Sequence, residues 1–145
     1  MQWTRNDYFI TTDKSQMDVA FVHRFLKTSY WAENIPYETV QRSIEGALCF
    51  GVFHNNIQVG FARAITDSAT FAYIADVFIS EAFRGRGLSR WLMEVILAHP
   101  QLQGLRRILL ATRDAHGLYK KVGFTSITNP EPWMQLHNPN VYKKE

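Results

Sequence analysis

The sequence predicts a single-domain α/β protein with a mixed central sheet and helices on both faces, and three observations carry that expectation. Short apolar runs rich in β-branched and aromatic residues alternate with segments whose apolar residues recur every three or four positions. The 145 residues fit one core, since domains commonly run to about 100–150 residues. No linker-like stretch, low-complexity segment or internal repeat divides the chain.

Taken in order, Tyr8, Phe9 and Ile10 predict a short strand. Ser15 and Asp18 resemble a capping box ahead of Met17, Phe21, Val22, Phe25, Leu26 and Tyr30, whose spacing predicts a first helix. Pro36 suits the start of a second, short helix carrying Tyr37, Val40 and Ile44 and stopping at Gly46. Residues 47–53 and 57–65 flank His54-Asn55-Asn56 and predict an antiparallel hairpin, because asparagine tolerates the positive φ of a tight turn. Residues 71–79 are apolar on both alternating faces except at Asp76, which predicts a central strand. Leu88, Trp91, Leu92, Val95 and Ile96 give an amphipathic helix ended by Pro100. Residues 108–111 predict the next buried strand. Asp114 is placed to cap a helix running through Tyr119 to Val122, with Gly123 as its stop, and residues 124–127 and 133–136 resume strand character. The order is β-α-α-β-β-β-α-β-α-β-β over one domain, residues 1–145.

Composition narrows the function. A net charge of +3 without any cationic run longer than a pair suits a small anionic ligand better than nucleic acid. The N-terminus lacks a cationic start followed by an apolar stretch, and no apolar run approaches the ~18 residues of a membrane span. A cytoplasmic protein without membrane partner is expected. The single cysteine, Cys49, excludes an internal disulfide and reads as a small buried hydrophobe. His23, His54, His99, His116 and His137 have no metal-ligand spacing, so no metal is expected.

One segment carries chemistry. After the strand at 71–79 come Arg84, Gly85, Arg86, Gly87, Leu88 and Ser89, and then a helix. A strand, a glycine turn and a helix start together make an anion site: glycine lets backbone approach the ligand, and the helix's first N–H groups point at it. Arg84, Arg86 and Arg90 add positive charge at the same end. The Walker loop and the Rossmann glycine fingerprint are both absent.

Arg84-x-x-Gly87-x-Ser89 resembles the [Q/R]-x-x-G-x-[G/A] acetyl-CoA motif of the GNAT superfamily of N-acetyltransferases. Residues 117–124, Gly-Leu-Tyr-Lys-Lys-Val-Gly-Phe, are similar to that family's L-Y-x-x-x-G-F segment, and the element order matches its fold. Ser89 stands where Gly or Ala is usual, and Thr112 stands where relatives often carry Asn. The resemblance implies acetyl-CoA as co-substrate, with its pyrophosphate on residues 84–89 and its pantetheine arm along Val77 and Ile79. It implies Tyr119 as proton donor to the leaving thiolate.

Asp76 has two readings. A carboxylate inside an apolar strand needs a partner or a cleft, so it either receives an amine, as a similar Asp does in polyamine-acetylating relatives, or pairs with an arginine such as Arg63. Tyr30, Trp31 and Glu33 lie in the segment that covers the acceptor cleft in the resembled fold, where aromatics enclose an amine or fill the core. The implied activity is acetylation of a primary amine of a small molecule or peptide. A protein N-terminal or lysine acetyltransferase and a non-catalytic acyl-CoA sensor remain open, as does a homodimer.

Overall fold

The computed structural model describes residues 1–143. Six strands form one sheet in sequence order: β1 (Gln2–Arg5), β2 (Tyr8–Thr11), β3 (Leu48–His54), β4 (Ile57–Thr66), β5 (Phe71–Ile79) and β6 (Arg107–Leu110). All neighbours are antiparallel except β5 and β6, which run parallel. A parallel pair needs a crossover, and α3 (Leu88–Ala98) supplies it. The remaining helices are α1 (Val19–Leu26), α2 (Tyr37–Glu45) and α4 (His116–Lys121). None of the described helices is long and apolar enough to cross a membrane.

Strand alternation divides the interior into two cores. Phe50, Val52, Ala62, Ala64, Ala72 and Ile74 point to the face covered by α3 and α4. Cys49, Phe61 and Phe78 point to the opposite face, against Val22 and Leu26 of α1 and Val40 and Ile44 of α2. Helices thus cover both faces, as the sequence predicts. Cys49 is fully buried under α2, where desolvation pushes its thiol up to about 11.

Local chemistry explains most boundaries. Asn55 and Asn56, with φ of 49° and 68°, make a two-residue turn that pairs His54 with Ile57. Asp18 is the α1 cap, its carboxylate accepting from the Phe21 N–H at 3.0 Å. Ser15 lies outside that helix, in a single 3-10 turn, donating to Asp13. Pro36 precedes α2 and Gly46 follows it, as expected. The carboxylate of Asp67 accepts from the N–H groups of Ala69, Thr70 and Phe71, closing the β4–β5 turn.

Three expectations are corrected. Residues 2–5 form a strand that the sequence did not announce: β1 is mostly exposed, so no apolar alternation marks it. Its hairpin is closed by Asn6 at φ 54°. The strands expected at 124–127 and 133–136 are absent, and no strand follows β6 among the described residues. Both segments are almost wholly exposed and have no partner strand, and the Pro130 carbonyl accepts from the Trp133 N–H in a turn. Asp114 does not cap α4. The cap position is Ala115, and its N–H donates to the Thr112 hydroxyl at 3.1 Å, while Asp114 lies outside, 3.9 Å from Arg113.

Candidate active site

The site is built on the far half of β5. Its pairing with β6 runs from Phe71 opposite Arg107 to Ile74 opposite Leu110 and stops there, while β5 continues to Ile79. β6 itself ends at Leu110, so from Ala75 onward β5 has an edge without a strand neighbour on that side.

On its other side, β5 carries an extra residue. Phe61 pairs with Phe78 and Arg63 with Ala75, so Ala62 alone faces both Asp76 and Val77. This is a β-bulge, and Asp76 occupies it at φ 57°, a left-handed conformation costly for a residue other than glycine. The bulge reverses the alternation. By simple parity Asp76 would share the face of Ala72 and Ile74, inside the apolar core under α3; instead it turns to the face of Arg63 and Phe61.

There the carboxylate is engaged at both oxygens. Arg63 Nε donates to one at 2.6 Å and Trp31 Nε1 to the other at 2.8 Å. The ion pair is mostly buried, with side-chain exposures of 18% for Arg63 and 8% for Asp76. Of the two readings of Asp76, the pairing with Arg63 is the contact its side chain makes. The trio sits on the wall of a cavity of about 700 Å³ between the α1–α2 connection and the segment after β6. Tyr30 also lines it: its hydroxyl accepts from the Arg113 N–H at 3.1 Å, and the Arg113 guanidinium lies 3.9 Å over its ring. Glu33 is exposed and not on the cavity wall.

Tyr119, on α4, also lines this cavity. It is 8% exposed, with its ring edge against Phe124 at 5.9 Å. Burial raises its pKa, and the neighbouring Tyr30 and Asp114 add to the shift, so the phenol holds its proton more firmly than a free tyrosine. Its hydroxyl has no hydrogen-bond partner among the described residues and no buried oxygen is left unsatisfied, so it opens to the cavity.

The glycine loop lies beyond the end of β5. Gly85 and Gly87 have φ of 78° and 76°, and a Cβ built on either would meet only open space. Glycine is thus required here by backbone conformation, and the empty side is where a ligand would lie against the chain. Gly87 is the N-cap of α3, and the first helical bond runs from Trp91 N–H to the Gly87 carbonyl at 3.1 Å. The N–H groups of Leu88, Ser89 and Arg90 have no such partner in the helix. They border a cavity of about 270 Å³ that also touches Ile79, Arg84 and Leu118. Arg84 folds back, its Nε donating to the Ile79 carbonyl at 3.0 Å, and Arg86 lies 5.8 Å over the Phe83 ring. These backbone donors, arginines and open glycine faces fit a diphosphate.

The two cavities lie on neighbouring positions of the same elements: Val77 and Tyr119 line one, Ile79 and Leu118 the other. Tyr30, Trp31, Asp76, Val77 and Tyr119 thus line the larger cavity and Ile79, Arg84, Gly85, Gly87, Leu88 and Ser89 the smaller, while Arg86 and Glu33 line neither. Arg113, Tyr73 and Tyr142, which also line the larger cavity, carry no local motif that would single them out.

Comparison with known proteins agrees. The model of the acetyltransferase (GNAT) family matches residues 18–124. A crystal structure of a candidate acetyltransferase of the GNAT family from Xanthomonas campestris pv. campestris is 48% identical, with TM-score 0.92, covering 94% of this chain and 97% of that one. A candidate acetyltransferase from Gibberella zeae is 30% identical, over 82% of this chain and 79% of its own. A candidate acetyltransferase from Clostridium acetobutylicum, whose structure contains acetyl-CoA, shares the fold at TM-score 0.65 and 16% identity, covering 94% and 96% of the two chains. With its motif loop and these matches in agreement, the chain belongs to the GNAT family of acetyltransferases.

Proposed function

We infer that the protein transfers the acetyl group of acetyl-CoA directly to a primary amine of a small molecule or peptide. The observation that carries this reading is the end of β5, where a diphosphate-sized cradle lies beside a larger cavity lined by a protonated tyrosine. The N–H groups of Leu88, Ser89 and Arg90 and the open faces of Gly85 and Gly87 would hold the pyrophosphate, and the helix dipole of α3 favours its charge. The unpaired edge of β5, with Val77 and Ile79, would take the amide-bearing pantetheine arm as a substitute strand.

The chemistry then asks little of the protein beyond positioning. A neutral amine nitrogen attacks the thioester carbonyl, a C–N bond forms, the C–S bond breaks, and the thiolate takes a proton. Tyr119 gives that proton and regains one from solvent; the amine gives up its own. Its raised pKa keeps the phenol in the acid form throughout the neutral range. Asp76 acts as a positioning residue, fixing Arg63 and Trp31 on the acceptor wall. The test is release of free thiol from acetyl-CoA when a panel of amines is supplied. Acetyl-CoA that binds and stabilises the protein but is not consumed with any acceptor would reduce it to a binding module.

A further inference from the structure

Resting on that reading, the acceptor can be specified further. The larger cavity carries the charged side chains of Arg63, Arg113, Asp76 and Asp114, two of each sign. Their availability differs. Both oxygens of Asp76 are engaged and its side chain is 8% exposed, so it presents little to a ligand. Asp114 is exposed at the mouth beside Arg113. Arg63 uses only its Nε, on Asp76, while the N–H groups of its two terminal nitrogens have no hydrogen-bond partner among the described residues. Since no buried side-chain nitrogen is left without a partner, those nitrogens open to the cavity. The inner wall of the acceptor site therefore shows a ligand hydrogen-bond donors carrying positive charge, and the carboxylate that might have received a cation serves to hold them in place.

We propose that Arg63 reads a carboxylate on the acceptor, so that the substrate class is small amines bearing a carboxylate, amino acids foremost, rather than polyamines. A guanidinium fixed at Nε keeps its terminal nitrogens as a fork of defined direction, the arrangement that binds a carboxylate through charge-assisted hydrogen bonds. The pairing with Asp76 pre-orders the arginine, so little rotamer entropy is lost when the acceptor binds. Trp31, held by the same carboxylate, and Tyr30, held against Arg113, place aromatic surface beside the fork for the body of the acceptor. A polyamine meets the opposite: a fixed cation on the wall, and no inner carboxylate with an unengaged oxygen.

The test compares matched acceptors. Phenylalanine, tyrosine and leucine are each assayed beside their carboxamides and their decarboxylated amines, with spermidine and a lysine peptide as outside acceptors, by thiol release per unit of free-base amine. The acids are expected to exceed the amides and decarboxylated amines in kcat/KM by roughly 10- to 100-fold, the discrimination given by a hydrogen bond to a charged group. Arg63→Gln should erase that preference while acetyl-CoA affinity stays unchanged. Because a lone Arg63→Gln leaves Asp76 buried without its cation, the double variant Arg63→Gln/Asp76→Asn is assayed beside it. Binding gives a second readout. With coenzyme A present, N-acetylphenylalanine should raise the melting temperature of the unsubstituted protein, and its methyl ester should not. Amides or decarboxylated amines used as well as the acids, or a preference for acids that survives both variants, would overturn the proposal. Turnover of spermidine or the peptide alone would overturn it while sustaining acetyl transfer, whereas no thiol release with any acceptor would remove both.

Discussion

The glycine loop and the larger cavity lie at two ends of the same half-strand, yet they are built differently. The loop is contiguous: residues 84–90 supply its glycines, its arginines and its helix start, so its chemistry survives translation into a short sequence motif. The cavity is assembled from Tyr30, Trp31, Arg63, Asp76, Arg113 and Tyr119, which meet only after the sheet and both helix layers are in place. The loop's residues are mostly exposed and bear little of the fold's weight, whereas the cavity wall contains a buried ion pair shared between two strands. Substitutions in the loop should therefore damage binding, and substitutions in the wall should damage stability and acceptor use together.

The largest expected effect tests the wall. Asp76→Asn removes the charge opposite Arg63 and must set an amide against two donors, so stability should fall by about 3 kcal/mol. Chemical denaturation measures this. The acceptor KM should rise while acetyl-CoA affinity stays near its original value; unchanged stability would mean that the pair is not a structural element. The loop gives the next effect. Gly87→Val places a branched side chain in the open face where the ligand would lie, at a φ of 76°. Some apo stability is lost to the left-handed backbone. The stabilisation by acetyl-CoA, roughly 2.7 kcal/mol at ~100 Kd of ligand, should vanish. A thermal shift equal to that of the parent would place the cofactor elsewhere.

Tyr119→Phe falls between the two regions, because Tyr119 lines the cavity and its proposed role is toward the cofactor. Removal of the hydroxyl should lower kcat by at least about ten-fold in single-turnover measurement, leaving melting temperature and acetyl-CoA binding nearly unchanged. The sign of its pKa shift adds a pH test. A donor whose pKa lies above the ordinary ~10 stays protonated through the neutral range, so the rate should climb as the amine deprotonates, with no descending limb below about pH 10. The smallest effect concerns the support beneath it: Thr112→Val removes the hydroxyl that accepts from the Ala115 N–H ahead of α4 and should cost about 1 kcal/mol by denaturation.

The same contrast explains what the sequence could disclose. The helices α1 to α3 and strands β3 to β6 were legible because each buries an apolar face whose period marks it, and Asn55-Asn56 and Pro36 mark their ends. The residues of the loop were legible for the same local reason. β1 was hidden because it is exposed, and the strands expected after residue 123 were misread because alternation alone carries no information about a partner strand. Asp114 looked like the cap of α4, but Thr112 reaches the Ala115 N–H instead, a choice set by backbone course rather than residue type. Asp76 stood out correctly as the anomaly of its strand. Which face it meets was beyond any parity argument, because that depends on a bulge that only the pairing with β4 defines.

That bulge has a consequence for how the strand tolerates change. With Asp76 removed, the string Ala72, Tyr73, Ile74, Ala75, Val77, Phe78 and Ile79 alternates without interruption: Ile74, Val77 and Ile79 fall to the α3 core, and Phe78 falls to the α1 core. Asp76 is thus a supernumerary residue, inserted into a ladder whose packing is already complete without it. A single-codon deletion at this position should leave both cores in register, with Arg63 deprived of its partner, whereas deletion of either neighbour on the same strand would force the inserted carboxylate into the regular repeat. The sheet carries one residue for the cavity alone, and its reading frame is what keeps the two purposes apart.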